Sequence, residues 1–318
     1  MVGSGIGSSP EHVPVLLDEV LKNLIKSEAG TYVDATFGRG GHTRALLQAL
    51  APAACVVACD RDPTAVEAAQ GLAVMEPRLQ VRHARFSLLA QVLRDLRVAS
   101  VDGVLMDLGV SSPQLDTAHR GFSFRHDGPL DMRMNPDEGE SAAAWLNRAA
   151  EADIADVIKT FGEERHARRI ARAIVAARPL TQTRTLAELV AAVVPHRGQT
   201  GKHPATRTFQ AIRMFINEEL HELDAGLQAA FDALTPGGRL AVISFHSLED
   251  RRVKQFFRSL TQPPAVPRGV PLRAHQMGTQ ARSIAGPVRP TVAELQTNTR
   301  ARSATLRVIE KVTAGGAL

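Results

Sequence analysis

The sequence predicts an α/β fold, a doubly wound and mostly parallel sheet that carries an inserted all-helical subdomain. Three observations predict it. The first third alternates short apolar runs with amphipathic segments, the rhythm of strands and covering helices in a parallel sheet. A glycine loop (Gly38, Gly40, Gly41) lies between the first two apolar runs, and each of those runs ends in an aspartate, Asp34 and Asp60. After Pro113 no convincing strand signal appears until about residue 239, and helix-like runs take its place.

The elements follow in order. Residues 1–10 are rich in Gly and Ser, lack the charged and apolar parts of a signal peptide, and read as a frayed tail. Strands are expected at 31–35, 55–60, 79–84 and 102–107, with helices at 43–51, 63–75 and 87–97. Helices are then expected at 141–149, 152–161, 163–178 and 185–194. The sheet resumes with one long helix over 206–233, a Pro-Gly-Gly turn at 234–238, a strand at 239–245 and a last strand at 305–311. The Pro-, Arg- and Gly-rich segment 262–290 reads as a long loop. The expected division is a sheet domain of residues 11–113 and 209–318, with 114–208 as the inserted helical, substrate-recognising part.

Composition sets bounds on function. A chain of 318 residues suits one large domain or two ordinary ones. No run of 18 apolar residues occurs, so no membrane partner is expected and a cytoplasmic location follows by default. Cys55 and Cys59 share one face of a strand, too far apart to bridge, and no further cysteine completes a zinc set. They read as core residues, and no metal site is expected. The pI is 9.7. From Arg258 to Arg307 there are eight arginines and one acid, Glu294. That stretch is either a phosphate-facing surface or a solvated arm.

The glycine loop and its flanking carboxylates suggest a nucleoside cofactor. Glycines let a backbone approach a ligand closely. Asp60 follows the glycines by about 20 residues, the spacing at which a carboxylate accepts hydrogen bonds from paired ribose hydroxyls. The spacing Gly38-x-Gly40-Gly41 departs from the dinucleotide pattern, and Asp34 would repel a pyrophosphate. S-adenosylmethionine, with its sulfonium and ammonium groups, suits Asp34 better. The competing reading is an ordinary glycine turn with no ligand.

Asp107, Ser111 and Ser112 follow the fourth strand, whose loop should lie beside the first one in a doubly wound sheet. Their oxygens could accept hydrogen bonds from a reacting amine, or the segment could be a plain strand-end turn. His246, after the fifth strand, either orients a substrate amine or is satisfied by backbone. In Arg120-Gly-Phe-Ser-Phe-Arg125, Phe122 and Phe124 could stack on unpaired bases while Arg120 and Arg133 hold phosphates. Alternatively the phenylalanines are core plugs and the arginines pair with Asp127 and Asp131. Lys202, Arg207 and Arg213 surround the start of the long helix, a phosphate-binding arrangement. Methylation at a pyrimidine C5 needs an attacking thiolate, and neither cysteine is placed to supply one. An exocyclic amine can attack the sulfonium methyl directly, provided its base is unpaired or flipped out.

Several of these segments together resemble one family. They are Glu11-His-Val-Pro-Val-Leu-Leu-Asp-Glu19, Asp34-Ala-Thr-Phe-Gly-Arg-Gly-Gly-His42, Asp107-Leu-Gly-Val-Ser-Ser-Pro-Gln114, Arg120-Gly-Phe-Ser-Phe124, Leu130-Asp-Met-Arg-Met134, Gly162-Glu-Glu164, His203-Pro-Ala-Thr-Arg207 and Ser244-Phe-His-Ser-Leu-Glu-Asp250. In this order they are similar to the MraW family of 16S ribosomal RNA cytosine-N4 methyltransferases. The resemblance implies a class I, Rossmann-like methyltransferase fold and S-adenosylmethionine as donor. It implies a decoding-centre cytidine, C1402, as acceptor, within 16S rRNA of the 30S subunit. It carries cofactor contacts onto Gly40, Gly41, His42, Asp60, Phe86, Asp107 and Gln114, with Phe86 lining the adenine. A homodimer is compatible with the chain. Two other readings stay open. A DNA amine methyltransferase would carry a second proline and an aromatic after Pro113, where this chain has Gln114. A ribosome-assembly factor would bind RNA and cofactor without turnover.

Overall fold

The computed structural model describes residues 14–194, 203–263 and 279–313. The expected tail at 1–10 lies outside them. The chain divides into two compact units, one of residues 1–60, 64–108 and 225–318, the other of 61–63 and 109–224.

The first unit is built on a seven-stranded sheet. Its strands are β1 (Thr31–Asp34), β2 (Cys55–Asp60), β3 (Leu79–His83), β4 (Val101–Asp107), β5 (Leu234–Ser244), β6 (Ala281–Val288) and β7 (Thr305–Lys311), in the order β3-β2-β1-β4-β5-β7-β6. The first five run parallel, whereas β7 is antiparallel to both β5 and β6. Val56–Cys59, Val104–Met106 and Leu240–Ile243 are buried runs without polar alternation, because helices cover both faces of a parallel sheet. Helix α2 (Gly41–Ala49) buries Leu46 and Leu47, and the helix Ser247–Thr261 buries Val253, Phe257 and Leu260 at helical spacing. Each such side chain contributes roughly 1.5–3 kcal/mol. The chain steps outward from β1 to β2 and from β4 to β5 in opposite directions, so the carboxyl ends of β1 and β4 flank the crevice where α/β sheets bind ligands.

The second unit is helical. It holds α5 (Ser112–Asp116), α6 (Ala142–Arg148), α7 (Glu151–Gly162), α8 (Ala167–Ala176), α9 (Thr183–Val193) and α10 (Thr206–Ile216). Trp145, Ile154, Ile158, Ile170, Ile174, Leu186, Phe209 and Ile212 form its core. α7 and α10 approach closely at Gly162, where a Cβ would stand 2.7 Å from the Arg207 carbonyl oxygen.

Three expectations need correction. The long helix 206–233 is two helices, α10 and α11 (Glu219–Ala233). Glu218 adopts φ +53° between them, its N–H donates to the Phe215 carbonyl (3.1 Å) rather than four residues back, and the Asn217 side-chain amide adds a bond to the Arg213 carbonyl (2.8 Å). The helical unit extends past Thr208, because Phe209 and Ile212 of α10 pack into its core. The segment 262–290 contains strand β6, an exposed edge strand whose glycine, proline and arginine hide any period-two pattern.

Candidate active site

Strands β1, β2 and β4 deliver Asp34, Asp60 and Asp107 to the carboxyl edge of the first unit's sheet. The loop after β1 turns through Gly38 (φ +55°) and Gly40 (φ +73°), conformations that favour glycine. The Gly38 N–H donates to Asp60 Oδ2 at 2.8 Å, tying the loop to the end of β2. A Cβ at Gly40 would stand 2.4 Å from the Phe37 ring, and one at Gly41 would strike Pro14. Asp34 is buried; its Oδ2 accepts from the Thr43 hydroxyl (2.6 Å) and its Oδ1 from the Thr36 amide (3.2 Å). Burial pushes its pKa up against these hydrogen bonds. Asp34 therefore acts first as an anchor between the loop and α2. These threonines, Thr36 inside the glycine motif and Thr43 directly after it, are not marked by the sequence as partners of Asp34.

Asp107 is the least satisfied of the three. Its N–H donates to Thr36 Oγ1 at 2.7 Å, while its buried Oδ1 has no hydrogen-bond partner among the described residues. Burial first, then the charges of Asp34 and Glu249, push its carboxyl up to about 8. His42 is buried beside it, with Nε2 at 3.0 Å from the Val15 carbonyl and Nδ1 at 3.7 Å from Asp107 Oδ2. Phe86 opens the turn after β3 and lies against Gly226 of α11, where a Cβ would stand 2.3 Å from the ring. His246 caps the helix Ser247–Thr261, its Nδ1 accepting from the Glu249 amide (3.4 Å) and its Nε2 lying 3.0 Å from Glu249 Oε1. Of the two roles read for His246, the local one accounts for Nδ1, whereas the buried Nε2 makes no hydrogen bond among the described residues.

An orphaned carboxylate oxygen with a raised pKa wants a cation or an N–H donor, and a loop closed to Cβ atoms leaves backbone exposed to a ligand. These observations fit S-adenosylmethionine, which offers two positive groups beside a ribose.

The second unit contains its own buried polar cluster. Gln114 accepts from the Ser111 N–H (2.9 Å) and donates to Asp62 Oδ2 (2.7 Å), within the turn that starts α5 at Ser112. Arg120 donates to the same Asp62 oxygen (2.8 Å) and to the carbonyls of Arg133 and Met134. Arg120 and Phe122 are buried, which corrects their reading as an RNA surface: the guanidinium gives three of its five N–H donors to acceptors inside the protein and lies out of reach of a phosphate. Arg133 is held by both oxygens of Asp131 (2.8 and 2.7 Å). Phe124 packs against His203 and Phe209, as a core plug would. Arg207 remains exposed; among the described residues its Nη1 makes a long hydrogen bond to the Glu163 carbonyl (3.3 Å) and lies 4.0 Å from Glu164 Oε2. Lys202 lies outside the described residues. Asp62 escaped the sequence reading; an acid two residues after the strand-ending Asp60 was the available signal.

The model of the MraW methylase family matches residues 9–312 of the chain. The chain belongs to the MraW methylase family. It is thus a methyltransferase with a class I, Rossmann-like fold, and S-adenosylmethionine is its cofactor. Among curated relatives, the ribosomal RNA small subunit methyltransferase H of Xanthomonas euvesicatoria pv. vesicatoria is 54% identical over 96% of this chain and 90% of that protein. The protein of the same name from Xanthomonas axonopodis pv. citri is 53% identical over 97% of this chain and 90% of that protein. An rRNA methylase structure from Streptococcus thermophilus is similar at a TM-score of 0.42 and 13% identity, over 93% of each chain. No helix among the described residues is long and apolar enough to cross a membrane.

Proposed function

We propose that this methyltransferase acts in the cytoplasm on 16S rRNA of the 30S subunit, methylating N4 of the decoding-centre cytidine C1402. The names of its relatives support ribosomal RNA of the small subunit as substrate. The bound cofactor supplies an electrophilic methyl group. Gly38, Gly40 and Gly41 form its backbone cradle, Asp60 accepts from the ribose, and Phe86 lines the adenine. His42, Gln114 and Asp34 complete the cofactor set, Asp34 and Gln114 by holding their loops.

The observation that carries the choice of an amine is Asp107. Its unpartnered Oδ1 accepts a hydrogen bond from an exocyclic N–H and aligns the nitrogen lone pair. With its carboxyl near 8, Asp107 is mostly protonated at neutral pH, and it is the ionised fraction, growing as pH rises, that can take the proton the nitrogen sheds. Positioning of this kind can lower a barrier by up to about 7–11 kcal/mol. Ser111 and Ser112, on the loop that leaves β4, are further acceptors for the base. The cysteines support the same choice. Cys59 is buried and its thiol is pushed up to about 12 by burial and by the charges of Asp34 and Asp60, and burial also pushes Cys55 up. Neither offers the thiolate that carbon methylation needs.

The test is transfer of labelled methyl groups to 30S subunits lacking the modification, with free 16S rRNA and naked DNA in parallel. Label on subunits or rRNA supports the proposal. Label on DNA alone, or cofactor binding with no transfer to any acceptor, contradicts it.

A further inference from the structure

We propose that the groove between the helix Ser247–Thr261 and the β6–β7 hairpin is a second RNA contact, built to hold a backbone phosphodiester of the substrate. The proposal rests on an RNA substrate, as argued above. The groove has a volume of about 310 Å³, bordered by Lys254 and Arg258 of the helix and by Ser283 of β6, with Arg307 of β7 in its wall. None of these residues was assigned a role in the cofactor or acceptor site.

Charge decides what the groove accepts. Lys254 and Arg258 stand one helical turn apart, and both are exposed. Lys254 makes no hydrogen bond or ion pair among the described residues, and Arg258 gives only its Nε to Gln262 (2.7 Å). The two acids of the helix neutralise them only in part: Asp250 feels the charge of Lys254 but is paired chiefly with Arg307. Glu249 is buried beside His246, and Asp250 is held by both ends of the Arg307 guanidinium at 2.8 and 3.0 Å. Arg251 and Arg252 add further positive charge to the same helix, which presents no exposed carboxylate after Asp250. An ammonium and a planar guanidinium fork around a cleft with a serine hydroxyl match the oxygens of a phosphodiester. The site lies at the antiparallel edge of the sheet, on β6 and β7, whereas Asp34, Asp60 and Asp107 end the parallel strands. It would therefore add affinity without entering the chemistry.

The experiment compares the wild-type enzyme with the double variant Lys254→Ala/Arg258→Ala and with Arg94→Ala, an exposed arginine elsewhere, on 30S subunits over a range of salt. Both groove residues are on the surface, so folding should be kept. Losing two phosphate contacts should raise KM for subunits about tenfold at low salt and reduce the slope of log KM against log salt by about 1.5. The kcat and cofactor affinity should stay at wild-type values, and Arg94→Ala should behave as wild type. Equal KM and equal salt slope in the double variant would overturn the proposal. If the wild-type enzyme methylates no subunits, the functional reading fails by itself, and direct binding of 30S subunits still tests the groove: weaker binding by the double variant supports it, and equal binding overturns it.

Discussion

His42 Nδ1 faces Asp107 Oδ2 across 3.7 Å, while His42 Nε2 lies 3.0 Å from the Val15 carbonyl. A carbonyl only accepts, so Nε2 carries a hydrogen, and Nδ1 is the nitrogen that faces Asp107. Burial first, then the charges of Asp34 and Glu249, raise the Asp107 carboxyl to about 8. The consequence for stability has a definite sign. Between about 4 and about 8 the folded state keeps a proton on Asp107 that the unfolded chain gives up, so stability falls as pH rises through that window. Asp107→Asn removes this loss. Denaturant titrations from pH 4 to pH 9 should show the variant gaining on the wild type as pH rises; a constant difference would contradict the raised pKa.

The same substitution should reduce kcat on 30S subunits by about 100- to 10,000-fold, the range for loss of a positioned acid–base group. The circular dichroism spectrum should not change. Near-normal turnover would remove Asp107 from the acceptor site.

Asp60→Ala should weaken cofactor binding by about 1–3 kcal/mol, the cost of losing hydrogen bonds to a charged acceptor. It also frees the Gly38 N–H, so the loop loses its tie to β2. Isothermal titration calorimetry reads the effect directly. Unchanged affinity would refute the ribose role.

Gly226→Ala should impair the cofactor pocket from outside it. The new methyl would stand 2.3 Å from the Phe86 ring, which must shift. Within a helix, alanine otherwise stabilises by about 1 kcal/mol over glycine. Cofactor affinity should fall several-fold with little loss of thermal stability. A variant that binds as wild type would show that the position of Phe86 does not matter.

Asp62→Ala should destabilise the helical unit by about 3–5 kcal/mol, because it leaves Arg120 buried without its carboxylate. Urea unfolding measures it. A loss below about 1 kcal/mol would show that the carbonyls of Arg133 and Met134 suffice for the guanidinium.

The sequence made the parallel half of the fold legible because its three central strands, β1, β2 and β4, are short apolar runs closed by a carboxylate. Asp34, Asp60 and Asp107 could be located for the same reason. Strand β5 was read as starting at Arg239, yet Leu234 already pairs with Val101 before residues 235–238 bulge out of register. Strand β6 lies at an exposed edge, where burial imposes no alternation. The break at Asn217 was hidden because apolar spacing runs through it, and only the tertiary bonds of its side chain to Met132 and Met134 reveal it. Arg120 and Phe122 show the limit most clearly. A buried arginine and an RNA-binding one have the same local sequence, and only the distant Asp62 distinguishes them.

The most direct test of the account is nucleoside analysis of 30S subunits after incubation with the enzyme and isotope-labelled S-adenosylmethionine. The account predicts one labelled methyl per subunit, recovered as N4-methylated cytidine and lost with Asp107→Asn. Label recovered as 5-methylcytidine, or in full with Asp107→Asn, would contradict it.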